Sequence, residues 1–223
     1  MRQQLLCIFT TLLLSVGATW AAPFKNGLTT HTHGNPIDAV DNYHIAVARG
    51  NANAQFNLGR MYDKGKGVSQ SYAKAITLYR LAAAQGHANA QFNLGYMYDK
   101  GKGIPQDYAE AVKWYRLAAA QGNANAQYEL GLKYASGQGL TQDHVEAVKW
   151  YRLAAAQGNA NAQYELGYMY DKGKGIPQDY AEAVKWYRLA AAQGNANAQY
   201  ELGLKYASGQ GLTQDHVEAV KWY

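Results

Sequence analysis

The stretch HANAQFNLGYMYDKGKGIPQDYAEAVKWYRLAAAQG, residues 87–122, decides the fold, because the chain repeats it every 36 residues. Copies begin at Asn51, His87, Asn123, Asn159 and Asn195. A fixed period of this length is the signature of a stacked array of helical repeats. We therefore expect an all-α fold with repeats at residues 51–86, 87–122, 123–158 and 159–194, and a truncated one at 195–223.

The first half of the unit predicts one helix, called helix A. Ala90, Leu94, Met97 and Tyr98 recur at the spacing i, i+4, i+7, i+8, which places them in one apolar stripe. The glycine-rich turn at residues 101–103 then ends the helix, because glycine readily adopts the left-handed conformation found at helix C-termini.

The second half predicts another helix, called helix B, between the cap Asp107 and the stop at Gly122. Glu110 stands three residues after Asp107, which is the spacing of a capping box. Stacking of neighbouring pairs is needed to bury the apolar face of helix B, and we expect its tryptophans in the core. These are Trp114, Trp150 and Trp186.

These residues resemble the Sel1-like repeat, a relative of the tetratricopeptide repeat. The matching positions in the second copy are Ala88, Ala90, Leu94, Gly95, Tyr98, Gly101, Gly103, Ala111, Trp114, Tyr115, Ala118, Ala119 and Gly122. The match recurs in every copy and covers residues 35–223. The resemblance implies a right-handed α-solenoid of antiparallel helix pairs that binds other proteins, and it implies no particular partner.

The N-terminus predicts a cleaved signal peptide over residues 1–21, with Arg2 before a short apolar run, and hence a periplasmic or secreted protein. After cleavage no segment is apolar enough to span a membrane. Residues 22–34 are polar and are predicted to be flexible. The pair His31 and His33 lies there, and two ligands on a mobile tail make a poor metal site.

Residues 35–50 align with 107–122 and predict a capping half-repeat made of helix B alone.

The sequence contains no convincing set of catalytic residues, and we expect that the protein is not an enzyme and binds neither a cofactor nor a metal. Cys7 is the only cysteine and falls in the signal peptide. The chain thus departs from the disulfide-bonded branch of the family that is linked to penicillin binding. Ser71 and Lys74 have the spacing of a serine β-lactamase motif, but the repeat explains them as a helix cap and a solvent-facing residue.

A longer period of 72 residues lies over the shorter one, because residues 87–151 and 159–223 differ only at 87/159, 92/164 and 93/165. Such near-identity argues against a unique active site and suits a ladder of similar contacts.

The chain stops at Trp222 and Tyr223 inside a helix B, which leaves an apolar edge uncovered. Either the chain associates with itself at that edge, or the array has been truncated.

The charge pattern argues against nucleic acid as a partner. The formal net charge is +5, and the lysines are interleaved with Asp and Glu over the whole array. This is a mixed, solvated surface and not a basic stripe.

A second stripe on helix A, opposite the apolar one, is predicted to line the concave groove of the solenoid and to bind a protein or peptide. We call it the outer stripe. Its residues are Asn53, Asn57 and Arg60 in the first copy, Asn89, Asn93 and Tyr96 in the second, Asn125, Glu129 and Leu132 in the third, and Asn161, Glu165 and Tyr168 in the fourth. Tyrosine among asparagines gives contact area and hydrogen bonds, although Tyr96 and Tyr168 are equally well explained as packing between repeats.

The sequence therefore predicts a non-catalytic protein–protein interaction scaffold in the cell envelope or outside the cell. One alternative is an adaptor that binds a cell-wall polymer through the lysine-rich turns. Another, by family analogy alone, is a hydrolase of β-lactams or cell-wall amides.

Overall fold

The computed structural model describes Lys25 and residues 36–223, with side chains at Lys25 and from Val40 onward. The predicted signal peptide (1–21) and the pair His31 and His33 lie outside the described residues, as does the segment 22–34 apart from Lys25. The described part of the chain is all α-helical and contains no strand.

Eleven helices follow one another in residues 36–223, and all but the last have the same length. They are α1 (Pro36–Ala48), α2 (Ala52–Lys64), α3 (Tyr72–Ala84), α4 (Ala88–Lys100), α5 (Tyr108–Ala120), α6 (Ala124–Ser136), α7 (His144–Ala156), α8 (Ala160–Lys172), α9 (Tyr180–Ala192), α10 (Ala196–Ser208) and α11 (His216–Trp222). Even-numbered helices from α2 to α10 are helix A of their repeats, and odd-numbered helices are helix B.

Helix ends are set by the residues that the sequence singles out. At the start of α8, Asn159 Oδ1 accepts a hydrogen bond from Ala162 N at 2.9 Å, as an N-cap does. At its end Gly173 has a φ of 65°, in the left-handed region. The predicted glycine stop is thus confirmed in this helix, and Asn159 is its N-cap.

Of the two hydrogen bonds in the predicted capping box, one forms and the other does not. Asp143 Oδ1 accepts from Glu146 N at 3.0 Å, as expected. The Asp143 amide, however, donates to the carbonyl of Tyr134 in helix A at 2.9 Å. Glu146 is therefore not needed there and pairs with Lys149 at 2.6 Å, just as Glu110 pairs with Lys113 at 2.6 Å.

The two helices of a repeat run antiparallel, because the end of helix B returns to the beginning of helix A. In the fourth repeat Gln193 Nε2, just past α9, donates to Gln163 Oε1 in the first turn of α8 at 2.7 Å. The same bond joins Gln157 to Gln127 at 2.7 Å and Gln85 to Gln55 at 2.8 Å. Consecutive pairs stack, as the solenoid fold requires.

The described helices form two compact units, of which one ends at Gln106 and the other begins at Asp107. The first contains α1–α4 and the second α5–α11. Tyrosines of helix B form the fully buried layer in each: Tyr43 and Tyr79 in the first, and Tyr115, Tyr151 and Tyr187 in the second. The tryptophans that we expected in the core are half-buried, and Trp186 packs against the edge of the cluster made by α7 and α8.

Junctions between repeats are of two kinds in the second unit. Between the fourth and fifth repeats, buried Asp171 pairs with buried Lys205. Burial raises the pKa of Asp171, but the ammonium groups of Lys172 and Lys205 outweigh it and hold that pKa below its usual value. Between the third and fourth repeats, the same positions hold Ala135 and Met169. Met169 is buried in the core cluster of α7 and α8, and Ala135 packs against that cluster.

Candidate functional site

The outer stripe of helix A is accessible at every predicted position, since none of its residues is fully buried. In the first unit Asn53, Arg60 and Asn89 are exposed, whereas Asn57, Asn93 and Tyr96 are half-buried. In the second unit Asn125 and Asn161 are exposed, whereas Glu129, Leu132, Glu165 and Tyr168 are half-buried.

The asparagines of the stripe are tied to the cap of the following repeat. Asn159 uses its Oδ1 to cap Ala162 N, so its Nδ2 is the group that faces Asn125 and donates to Asn125 Oδ1 at 3.1 Å. Asn195 donates in the same way to Asn161 Oδ1 at 3.0 Å. Asn125 and Asn161 thereby use their oxygens between repeats, and each keeps its Nδ2 group as a hydrogen-bond donor on an exposed side chain.

His87 replaces the capping asparagine in the first unit and performs the same two tasks. Its Nδ1 accepts from Ala90 N at 3.2 Å, so the ring proton must sit on Nε2. That Nε2–H group donates to Asn53 Oδ1 at 3.1 Å. The ring of Phe56 stacks on the imidazole with centroids 4.6 Å apart, and burial lowers the pKa of His87. The fold therefore holds a neutral histidine at this cap.

Lysines flank each stripe tyrosine. Lys172 and Lys174 lie 5.9 and 5.1 Å from the centre of the Tyr168 ring, and Lys174 Nζ donates to Tyr168 Oη at 3.3 Å. Lys100 and Lys102 lie 5.9 and 5.1 Å from the Tyr96 ring. One core cluster is formed by α7 and α8, and another by α9 and α10. Tyr168 is not among the described side chains that pack against either cluster.

The glycine turn brings the second lysine of each pair back to the tyrosine. Lys174 N donates to Met169 O at 3.1 Å, which closes the left-handed cap formed by Gly173. The prediction of the stripe missed Lys102 and Lys174. The repeated Lys-Gly-Lys-Gly sequence could have indicated these lysines. Once its first glycine is left-handed, the chain reverses and brings the second lysine back toward helix A.

Two stripe residues belong partly to the interior. Leu132 packs against the core cluster of α7 and α8. Glu165 is half-buried, and desolvation raises the pKa of its carboxyl group. Its negative charge also raises the pKa of the buried Tyr151 hydroxyl, which is already raised by burial. At the equivalent place in the first repeat, Asn57 Nδ2 donates to Tyr43 Oη at 3.4 Å, without a charge.

Charge differs between the stripes of the two units. In the first unit a cleft of about 80 Å³ is lined by Asn57, Arg60, Met61, Lys64 and Lys66. In the second unit α6, α8 and α10 each carry a glutamate at the position of Asn57, namely Glu129, Glu165 and Glu201. The first unit thus offers donors and cations, and the second adds carboxylates.

The groups with catalytic spacing are used structurally. Ser71 Oγ accepts from Lys74 N at 3.4 Å, and Lys74 Nζ lies 4.9 Å from the Tyr62 ring centre. Among the described residues, His, Cys, Asp and Glu side chains form no group of three that could hold a metal ion. No helix within this described part has the length and apolar character needed to cross a membrane.

Comparison with known proteins identifies the repeat. The family model described as Sel1 repeat matches residues 52–87, 88–123, 124–159, 160–195 and 196–223. A comparison with curated protein sequences gives no match.

Solved structures give the same result. A protective antigen of uropathogenic Escherichia coli with an SLR fold is 37% identical with a TM-score of 0.87, over 95% of this chain and 47% of the antigen. A Sel1 repeat protein from Oxalobacter formigenes is 36% identical with a TM-score of 0.83, over 91% of this chain and 83% of that one. The immunity protein PA5088 from Pseudomonas aeruginosa is 26% identical with a TM-score of 0.53, over 82% of this chain and 68% of that one. The chain spans about half the length of the E. coli antigen.

Proposed function

The chain belongs to the Sel1 repeat family, and from this premise we propose that it is a non-catalytic scaffold that binds an extended segment of a partner protein along the outer stripe. Sel1 repeat proteins are generally protein-interaction scaffolds, and the fold is typically non-catalytic. We further propose that it acts in the cell envelope or outside the cell. Support for that location comes from the signal-like residues 1–21.

The orientation of the stripe amides is the observation that carries the proposal. Because Asn125 and Asn161 accept from the next repeat through their oxygens, their Nδ2 donors recur at the surface once per repeat. An extended peptide presents carbonyl oxygens that need donors when it is bound. A row of pre-oriented donors loses little side-chain freedom on binding, which favours affinity.

The tyrosine and lysine clusters support the same function. Tyr168 and Tyr96 are half-buried, and a lysine ammonium group lies 5.1 Å from the centre of each ring, which restricts the freedom of both rings. Fixed aromatic rings provide contact area at a low cost in conformational entropy. Arg60, Lys64 and Lys66 in the first unit favour a partner segment that carries carboxylates.

Copy-matched variants test this proposal. The third repeat has Leu132 where the second and fourth have Tyr96 and Tyr168, so the double variant Tyr96→Leu/Tyr168→Leu removes the rings while keeping a residue that the fold accepts. The control is Lys149→Thr, since the first repeat has Thr77 at that exposed helix-B position.

We would use proximity labelling in the native envelope with wild type, stripe variant and control. We expect a small set of labelled proteins that is lost in the stripe variant and kept in the control. A labelled set that is the same in all three proteins would overturn the proposal.

A second candidate, binding of an anionic cell-wall polymer, is favoured by the lysine pair Lys172 and Lys174. The fifth repeat has Gln210 at the position of Lys174, so Lys174→Gln is its matched variant. Polymer binding would appear as retention on purified cell wall that salt and this variant both weaken, because such binding rests on charge.

A further inference from the structure

A cleft on the helix-B side of the first unit has no part in the outer stripe. It lies between α1, α2 and α3 and has a volume of about 390 Å³. Its walls are His44, Val47, Leu58, Tyr62, Ala73, Lys74, Thr77 and Leu78. Leu58, Tyr62 and Leu78 form a buried apolar floor. We call this place the Leu78 cleft.

The fourth repeat shows what normally fills this position. The corresponding residues there are Arg152, Ala155, Leu166, Tyr170, Ala181, Glu182, Lys185 and Trp186. Trp186 packs against the cluster that contains Ala155 and Leu166. Arg152 donates to Tyr170 Oη at 3.0 Å and so covers the same junction.

The first repeat lacks both covering groups. Leu78 stands where the fourth repeat has Trp186, and an indole is much larger than an isobutyl group. His44 stands where the fourth repeat has Arg152, and its ring meets Tyr62 edge-on at 6.5 Å. The Leu78 cleft is therefore the position of a missing indole, opened to solvent.

The rim of the Leu78 cleft also differs in charge from the equivalent position in the fourth repeat. In the fourth repeat Lys185 is neutralised by Glu182. In the first repeat Lys74 replaces the glutamate and Thr77 replaces the lysine. The lining of the Leu78 cleft thus contains Lys74 and no carboxylate among its described residues. A bound group with a negative charge beside a ring would complement this rim.

We propose that the Leu78 cleft binds an aromatic side chain of a partner protein, with an acidic residue next to it that pairs with Lys74. The ring enters the place that Trp186 occupies in the fourth repeat, over Leu58 and beside Tyr62. Aromatic side chains seated in apolar pockets are the usual anchors of protein interfaces. This site is separate from the outer stripe, and its failure would leave the proposed function in place.

The test uses residues 22–223 and the capped peptide acetyl-Asp-Trp-Asp-amide, with acetyl-Asp-Ala-Asp-amide as the control ligand. Binding is followed by NMR of the side chains that line the cleft. For a ligand of this size we expect a Kd on the order of 1 mM. Leu78→Trp fills the cleft with the residue used in other repeats and should weaken binding at least about tenfold. Lys74→Glu restores the acidic residue and should weaken it by about fivefold.

A gain of binding gives the converse test. Trp186→Leu and Arg152→His open the same position in the fourth repeat, and combined with Glu182→Lys they should create a second site for the tryptophan peptide. The proposal is overturned if wild type does not bind this peptide, if Leu78→Trp binds it equally well, or if the alanine peptide binds as tightly.

Two other occupants give different results. If residues 22–34 of the chain itself fill the cleft, their deletion will tighten peptide binding. If a second copy fills it, sedimentation will show a dimer that Leu78→Trp dissociates. Either result would overturn the proposal of a partner protein.

Discussion

Single side chains in this array do two tasks at once, and the caps show it most clearly. Asn159 caps its own helix through Oδ1 and holds the preceding repeat through Nδ2. His87 does both with an imidazole, which works only while the ring is neutral, because a protonated Nδ1 cannot accept from Ala90 N. A property of one residue, its protonation, therefore controls a contact between repeats.

Acid should weaken the first unit through His87. Burial lowers the pKa of His87, so its contribution to stability is fully present above the unfolded-state value of about 6.5 and is lost as the pH falls through the lowered folded value. We expect the urea midpoint of wild type to drop more between about pH 7 and pH 5 than that of His87→Asn. The asparagine variant is the matched control, since other repeats have Asn there. Equal pH profiles for the two proteins would contradict a role for His87 protonation.

Glu165 should act in the opposite direction. Burial raises its pKa above the ordinary value of 4.5, so the folded state favours the protonated form. Its contribution to stability is fully present below 4.5 and is lost as the pH rises through the folded value. At neutral pH we expect Glu165→Gln to be more stable than wild type, with a difference that closes as the pH falls toward 4.5. Chemical denaturation across this range measures the difference, and a gap independent of pH would exclude the buried carboxylate charge as its cause.

At the scale of the element, the turn after helix A limits how closely repeats can stack. Gly175 has a φ of 68°, and a Cβ built there would lie 2.3 Å from the backbone of His144 in the preceding repeat. Gly158, after helix B, has a φ of 85° but no atom within 4 Å of such a Cβ. Both glycines therefore have a left-handed backbone, and they differ only in whether there is room for a Cβ atom.

Alanine at these two glycines separates strain from contact. Gly158→Ala should cost only the left-handed backbone penalty of about 1–2 kcal/mol. Gly175→Ala adds a clash with backbone that cannot rotate away, and we expect it to cost more than about 4 kcal/mol. Thermal and urea unfolding of the two variants give the comparison. Similar losses would mean that the junction can open to accept a methyl group.

Helix positions and ends were predictable from the sequence because caps and glycine stops are local signals. The apolar stripe of helix A was predictable for the same reason, since Leu94 and Met97 follow a helical period and are buried. The capping box failed because Tyr134, on the other helix of the same repeat, supplies the acceptor for the Asp143 amide. The role of Lys174 was missed because it depends on the path of the turn. Burial of the helix-B tyrosines in preference to the tryptophans depends on the packing of neighbouring repeats.

At the scale of the whole molecule, the 72-residue period has a structural basis in the second unit. A repeat that carries Asp171 is followed by one that carries Lys205, and a repeat that carries Ala135 is followed by one that carries Met169. In the second unit an apolar junction is thus followed by an ionic one.

A double-mutant cycle tests this pairing. Asp171→Ala leaves Lys205 buried without its carboxylate and should cost about 3–5 kcal/mol. Lys205→Met leaves Asp171 paired with Lys172 at 2.7 Å and should cost less. The double variant recreates the Ala and Met pair of the preceding junction and should cost at least about 2 kcal/mol less than the sum. Urea denaturation of the four proteins measures the coupling. Strict additivity would show that the ion pair does not act as a unit.

Alternating junctions also constrain how the gene can change its length. Unequal recombination between its nearly identical segments would add or remove whole repeats. Loss of a 72-residue block keeps the order of the two kinds of repeat, whereas loss of residues 159–194 alone would bring Ala135 opposite Lys205 and bury an ammonium without its carboxylate. Functional alleles are therefore expected to differ by pairs of repeats, and the array to lengthen and shorten in even steps.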